Sequence, residues 1–329
     1  MRPFLILAGL AGLALVTVLI GYYGAGAVAD AVAAVGWGAA LVMLVRTVET
    51  SGAGLAWWCV VPGSRPPLAL TCVFLRWLRE SINSLLPVAQ VGGEFIGARL
   101  LAFRGVPGGA AGASVVVDLF AQTGTQFIFT LVGLACLIQA GGSTDIARGV
   151  AVGLAILGPA LVGFFLAQRF GGFRLLDKAL AAFTKDPQWA GLGSASSLHD
   201  QLQAIYARKG RLAAGFAIHL VIWFVGVFEV WTALHFMGHP VSYRTALVIE
   251  SLGQAVRGAA FVVPGAVGVQ EGGYVALCAV FGIPAPTAIA LSLIKRLPEI
   301  ALGIPGLFVW QGLEGRRALA RRRAGVPDA

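Results

Sequence analysis

Charge is what this sequence has least of. Of its 329 residues only 12% are Asp, Glu, Lys or Arg, while 58% are hydrophobic, and the mean hydropathy is +0.83. Soluble domains carry about a quarter charged residues, so too little polar surface exists here to cover a water-soluble particle. Cysteine is also sparse. Cys59, Cys72, Cys136 and Cys278 stand singly in apolar stretches with no CxxC or metal-ligand spacing, and read as small buried hydrophobes. The four histidines are scattered; His235 and His239 lie four apart at the end of an apolar run and read as interfacial polar residues, not a metal site. Gly-x-Ser-x-Gly, Walker, HExxH and dinucleotide-binding patterns are all missing. An enzyme of those classes is excluded, and no cofactor or metal is expected.

What is present is a set of long apolar runs, several above the 18–20 residues that span a bilayer. The candidate spans are Phe4–Gly21, Gly36–Val61, Ala110–Ala140, Val150–Ala167, Leu212–Met237 and Pro286–Trp310. Phe4–Gly21 follows Met1-Arg2-Pro3 and is long for a signal-peptide core, so it reads as a retained first span. Two more stretches, 68–107 and 245–284, are interrupted by Pro and Gly and read as re-entrant hairpins. The formal charge of +9 comes mainly from segments flanking the spans, which points to orientation and anionic lipid and away from nucleic acid. Lys and Arg crowd 169–211 and the tail, but are missing from 22–35, 141–145 and 238–243. The positive-inside rule then places both termini and the 169–211 loop in the cytoplasm, provided each interrupted stretch returns to its own side. The expected fold is an all-α polytopic membrane protein of about six transmembrane helices plus two re-entrant hairpins. It forms a single membrane domain over 1–311, with 169–211 an amphipathic surface loop and 312–329 a basic cytoplasmic tail.

The two interrupted stretches match each other without gaps at an offset of 177. Pro87 falls on Pro264, Ala89 on Ala266, Glu94 on Glu271, Leu100 on Leu277, Ala102 on Ala279, Gly105 on Gly282 and Pro107 on Pro284. The Pro-x6-Glu-x10-Gly-x-Pro frame is the informative part. Because the topology inserts the units from opposite sides, an inverted repeat is expected. Paired Gly/Pro-broken segments in such repeats point to a binding site, since freed backbone groups are tolerated only where they line a cavity or are buried in protein.

Ionisable groups inside apolar segments cost ~3 kcal/mol or more near mid-bilayer, so they face a cavity or a partner. The candidates are Arg76, Arg79, Asn83, Asp118, Arg257, Lys295, Arg296 and Glu299, with Arg46, Glu49, Glu80, Gln122 and Glu250 also within apolar segments. The offset relates Asp118 to Lys295 and Glu80 to Arg257. Two readings stay open: salt bridges across a two-fold axis, or cations that bind a lipid phosphate.

Asn83-Ser-Leu-Leu-Pro87-Val-Ala-Gln-Val-Gly92-Gly93-Glu94 and Val263-Pro264-Gly265-Ala-Val-Gly268-Val-Gln270-Glu271-Gly272 resemble the two signatures of the lysylphosphatidylglycerol synthase transmembrane (flippase-like) family. Phe281-Gly-Ile-Pro284 through Lys295-Arg296 extends the resemblance, and Gly36-Trp37 through Ala56-Trp57-Trp58 is similar to its hopanoid-biosynthesis-associated branch. Many relatives have Asp where this chain has Glu94. The resemblance implies a bacterial inner-membrane lipid flippase or lipid transporter for a phosphate-bearing or isoprenoid lipid, with the broken-helix residues Pro87, Gly92, Gly93, Glu94, Pro264, Gly265, Gly268, Gln270, Glu271 and Gly272 at its working centre. The alternative is a non-transporting accessory protein in membrane-lipid biosynthesis. Partners are then membrane lipids and lipid-biosynthesis enzymes. The family's fused members carry a soluble aminoacyl-transfer domain; with none in this sequence, synthase activity is not expected.

Overall fold

The structure is a computed structural model, and it describes residues 17–18, 21, 25–63, 67–86, 92–141, 144–170, 195–260 and 263–323. Among these the secondary structure is entirely helical. The helices are α1 (Ala25–Ala34), α2 (Gly38–Val60), α3 (Ala69–Leu85), α4 (Gly92–Ala102), α5 (Gly108–Gln139), α6 (Thr144–Arg169), α7 (Ala195–Ala207), α8 (Lys209–Phe236), α9 (Tyr243–Ala259), α10 (Val269–Val280) and α11 (Ala285–Arg323). A 3-10 turn, Pro264–Ala266, separates α9 from α10.

Four helices, α2, α5, α6 and α8, are long and apolar enough to cross a membrane; at 1.5 Å per residue they reach roughly 34–48 Å. The interrupted stretches fold instead as pairs of short helices. α4, with 11 residues, reaches only about 16 Å and turns back along α3, so that Gly93 lies against Asn83 and Gly97 against Arg79. In the same way α10 returns along α9, with Gly273 on Val256 and Tyr274 on Gly253. Both are hairpins.

The offset of 177 also reappears in the backbone. It carries the first residue of α4 onto that of α10, and the first residue of α5 onto that of α11. Gly105 and Gly282 both take positive φ, +90° and +70°, the left-handed conformation that ends a helix at least cost with glycine. Each closes its turn with one bond of the same length, Gly105 N–H to Ala102 O and Gly282 N–H to Ala279 O, both 3.1 Å. Val106 and Ile283 are buried next, and a proline opens the following helix. The Gly-x-Pro frame is therefore a turn made twice.

α2 and α8, the first helices of the two halves, run antiparallel along their whole length. Gly38 meets Phe236, Gly52 meets Ile222 and Gly215 meets Ala56. Their crossing brings Glu49 onto Gly226, the position related to it by the offset. Around this pair, α3 packs on α11 while its mate α9 packs on α5, and every other contact among these eight helices likewise has its counterpart in the opposite half. Three apolar cores form among the described residues: one around Trp57, Leu78, Leu101 and Val117, one around Val230, Ile249, Tyr274 and Leu291, and a smaller one around Leu137, Val248, Leu252 and Leu277.

Several elements depart from the sequence-based expectation. Segment 22–35, expected as a connecting loop, contains α1, which packs on α11. α11 runs on past Trp310 to Arg323, and Leu313 still packs against the first core. α7 docks rather than lying free, with Leu202 and Ile205 buried against the first core. The expected first span over Phe4–Gly21 falls mostly outside the described residues, as do 171–194 of the amphipathic loop, Pro87, and 324–329 of the tail.

Candidate functional site

A cavity of about 920 Å³ draws lining from both halves. Hairpin one contributes Arg76, Glu80, Asn83, Ser84 and Glu94; hairpin two contributes Gln254, Arg257 and Gly265. Arg46 and Glu49 of α2, Gln122 and Gln126 of α5, His219 of α8, and Pro298 and Glu299 of α11 complete the polar wall. The opposite wall is apolar. It is formed by α6, through Val150, Leu154, Ile156, Leu157 and Ala160. Only Leu154 and Gln168 of α6 are buried, so this helix is a thin partition between the cavity and the surroundings of the protein.

The charged side chains form three networks. In the first, Asp118 on α5 is the hub: it accepts from Arg76 at 3.2 Å, Arg79 at 3.0 Å and bonds His219 Nε2 at 2.9 Å. Arg76 also pairs with Glu80 at 2.5 Å and donates to Gln122 at 2.8 Å. Arg79 reaches Glu94 across the hairpin and stacks over Trp57, 4.5 Å from its ring centroid. Asn83 closes the tip, its Oδ1 accepting from Gly93 N–H at 2.7 Å. Two arginines separated by one turn on α3 thus fasten that hairpin to α5.

In the second network, Glu271 tethers the other hairpin. Its carboxylate accepts from Gly268 N–H at 2.6 Å, Ser292 Oγ at 2.9 Å and Arg296 Nε at 2.9 Å. The first bond caps α10 where its N-terminal N–H groups lack partners. The break itself needs glycine. Gly265 and Gly268 have φ of +61° and +83°, and Arg296 Nη1 donates to the exposed Gly265 carbonyl at 3.0 Å. Arg257 pairs with Glu299 and donates to Gln270 Oε1. Gly272 has open space around it.

The third network lies where α2 and α8 cross. Lys295 donates to Glu229 at 2.5 Å and Glu250 at 2.8 Å, while Arg46 contacts Glu229 at 3.1 Å and Glu49 at 3.3 Å. Lys295, Glu229 and Glu250 are at most 1% exposed.

Of the residues the sequence nominated, Arg76, Asn83, Glu94, Arg257, Gly265 and Glu299 line the cavity. Arg79, Asp118 and Lys295 stand behind its wall, and Gln270, Glu271 and Arg296 brace the second hairpin. Gly92 and Gly93 begin α4. Of the two readings left open for these charges, the salt bridges across the axis are not formed: Asp118 does not meet Lys295, nor Glu80 Arg257. α5 and α11 flank the α2–α8 pair instead of meeting, so these two related pairs stay apart and each member finds a partner of its own. Arg46, Arg76, Arg79, Arg257, Lys295 and Arg296 each therefore already face a carboxylate, and none of the six is surplus. Sequence reasoning passed over Glu229 and His219. The signal for Glu229 was available: it is the one acid in the long apolar run of α8.

A sequence model described as lysylphosphatidylglycerol synthase TM region matches residues 6–305, and the chain belongs to that family. No curated protein and no solved structure matches it.

Proposed function

From the premise that the chain is a multi-pass member of this membrane family, we propose that it is a non-enzymatic lipid translocase of the bacterial inner membrane, with both termini in the cytoplasm. The observation that carries this reading is the shared cavity, polar where the two hairpins meet and apolar along α6. A lipid needs that division: its headgroup requires hydrogen-bonding partners away from hydrocarbon, while its chains lose nothing by staying in the bilayer. The thin partition at α6 gives the chains a lateral way out.

Three further points support it. If the spans are α2, α5, α6, α8 and α11, and each hairpin returns to its own side, α2 and α8 cross in opposite senses, which agrees with their antiparallel packing. The two hairpins then approach from opposite leaflets, the arrangement used for alternating access in inverted-repeat transporters. The cavity cations Arg46, Arg76 and Arg257 each hold a carboxylate. A phosphate-bearing headgroup would therefore exchange with Glu80 or Glu299, and a zwitterionic one supplies an amine for the carboxylate it releases.

The test is transbilayer movement in vesicles reconstituted with the purified protein, using labelled phospholipids, polyprenyl phosphates and hopanoids. Accelerated movement of at least one, slowed by Arg76→Gln or Arg257→Gln, is expected. Rates equal to protein-free vesicles for every lipid would exclude translocation.

A further inference from the structure

The charges that meet where the two halves cross do not cancel. α2 brings Arg46 and Glu49, α8 brings Glu229, α9 brings Glu250 and α11 brings Lys295. Neighbouring groups have partners of their own: Glu299 of α11 is paired with Arg257 of α9, and Glu80 of α3 with Arg76, which together with Arg79 and His219 also holds Asp118. α10 presents only the Tyr274 phenol, which is 2% exposed. Three carboxylates thus share two cations, in a place where an uncompensated charge is strongly disfavoured.

Geometry says how the excess is removed. The Glu49 and Glu229 carboxyls are gathered on the same Arg46 guanidinium, at 3.3 Å and 3.1 Å. Like charges gathered on one cation disfavour ionising both, so a proton on one of them relieves the crowding. Arg46 meets Glu229 Oε1 and Glu49 Oε2 as ion pairs only, without hydrogen-bond geometry to either oxygen, so neither is fully satisfied. Glu229 has two cationic partners, whereas Glu49 has only Arg46, at 3.3 Å. Glu49 and Arg46 line the cavity; Glu229, Glu250 and Lys295 do not.

We propose that this cluster holds one bound proton, carried on Glu49, that exchanges with the central cavity. The site is a proton-binding site on the contact between the two halves. Releasing its proton leaves like charges facing each other across α2 and α8, so occupancy bears on how these helices pack, whatever the cavity carries. This holds independently of the lipid reading.

Infrared difference spectroscopy of the full chain in lipid nanodiscs tests it. Near neutral pH, a protonated-carboxyl C=O band is expected that shifts on transfer to D2O. The band is expected to be lost in Glu49→Gln, an isosteric change, and unaltered in Glu314→Gln, whose carboxylate pairs with Arg99 outside the cluster. Lys295→Met leaves three carboxylates to one cation and should add a second such band. A wild-type protein without the band overturns the proposal, as does a band that persists in folded Glu49→Gln. Loss of the band when sodium replaces a large organic cation in the buffer also overturns it, because the site then takes a metal ion.

Discussion

Replacing Lys295 by Met keeps the length of the side chain and removes only its charge. The ammonium is bonded to Glu229 at 2.5 Å and Glu250 at 2.8 Å, and the residue is 1% exposed. Without it Glu229 retains Arg46, but Glu250 is left with the Gln254 amide at 2.8 Å as its only donor. Removing one member of a buried ion pair costs about 3–5 kcal/mol, because its partner stays buried and uncompensated. The near-equal volume of Met keeps the packing contribution below about 1.5 kcal/mol. We therefore expect Lys295→Met to destabilise the protein by roughly 3–5 kcal/mol, measured by unfolding in mixed micelles with a denaturing detergent and followed by circular dichroism. Because the folded variant takes up a proton that its unfolded chain lacks near neutrality, its stability should rise as pH falls. Adding Glu250→Gln removes the stranded charge and should recover more than half of the loss. A Lys295→Met protein within about 1 kcal/mol of wild type, or a double variant no better than the single one, would refute the charge accounting at this crossing.

Glu271→Ala removes the acceptor for Gly268 N–H, Ser292 and Arg296 at once; a loss of about 3 kcal/mol is expected in the same unfolding assay, with Glu271→Gln falling in between. Gly54 lies against the backbone of Val73 on α3, so Gly54→Val should push α3 off α2 and cost roughly 1–3 kcal/mol; an unchanged midpoint would argue against that close approach. In a background without the native cysteines, Gly52→Cys with Ile222→Cys should cross-link on mild oxidation and Gly52→Cys with Phe236→Cys should not, as antiparallel α2 and α8 require. Burial pushes the Tyr206 phenol on α7 up to about 12, while its OH donates to Gln168 Oε1 at 2.7 Å. Its folded value lies above the unfolded one, so its contribution is complete below about pH 10 and is lost as pH rises through about 12, a change that amide exchange in α7 would register.

The membrane class and four of the spans, α2, α5, α6 and α8, were legible because apolar length is a one-dimensional signal. The break points were legible for a different reason. A positive-φ turn leaves a fixed glycine and a helix start after it leaves a proline, so Gly105-Val106-Pro107 and Gly282-Ile283-Pro284 preserve the repeat through divergence of everything between. Pairing was not legible. The offset says which residues are equivalent but not which touch, and only residues at the α2–α8 crossing meet their own mates. Asp118 and Lys295 are equivalent and separated. Glu94 and Glu271 are equivalent too, yet Glu94 faces Arg79 within its own hairpin while Glu271 is held by α11. The difference follows from their neighbours: Ser292 and Arg296 correspond to Val115 and Leu119, which offer no donors. Helix α1 escaped notice because ten small residues ahead of α2 carry no periodic signal strong enough to tell a helix from a loop.

The central claim is that the cavity between the two hairpins holds a lipid. Native mass spectrometry of the purified chain tests it most directly. Wild type should retain lipid, and Gly153→Trp should lose it while folding normally, since Gly153 lines the apolar wall and a side chain there meets no neighbouring atom within 4 Å. A wild-type chain that carries no lipid, or a Gly153→Trp chain that carries as much, would contradict the account.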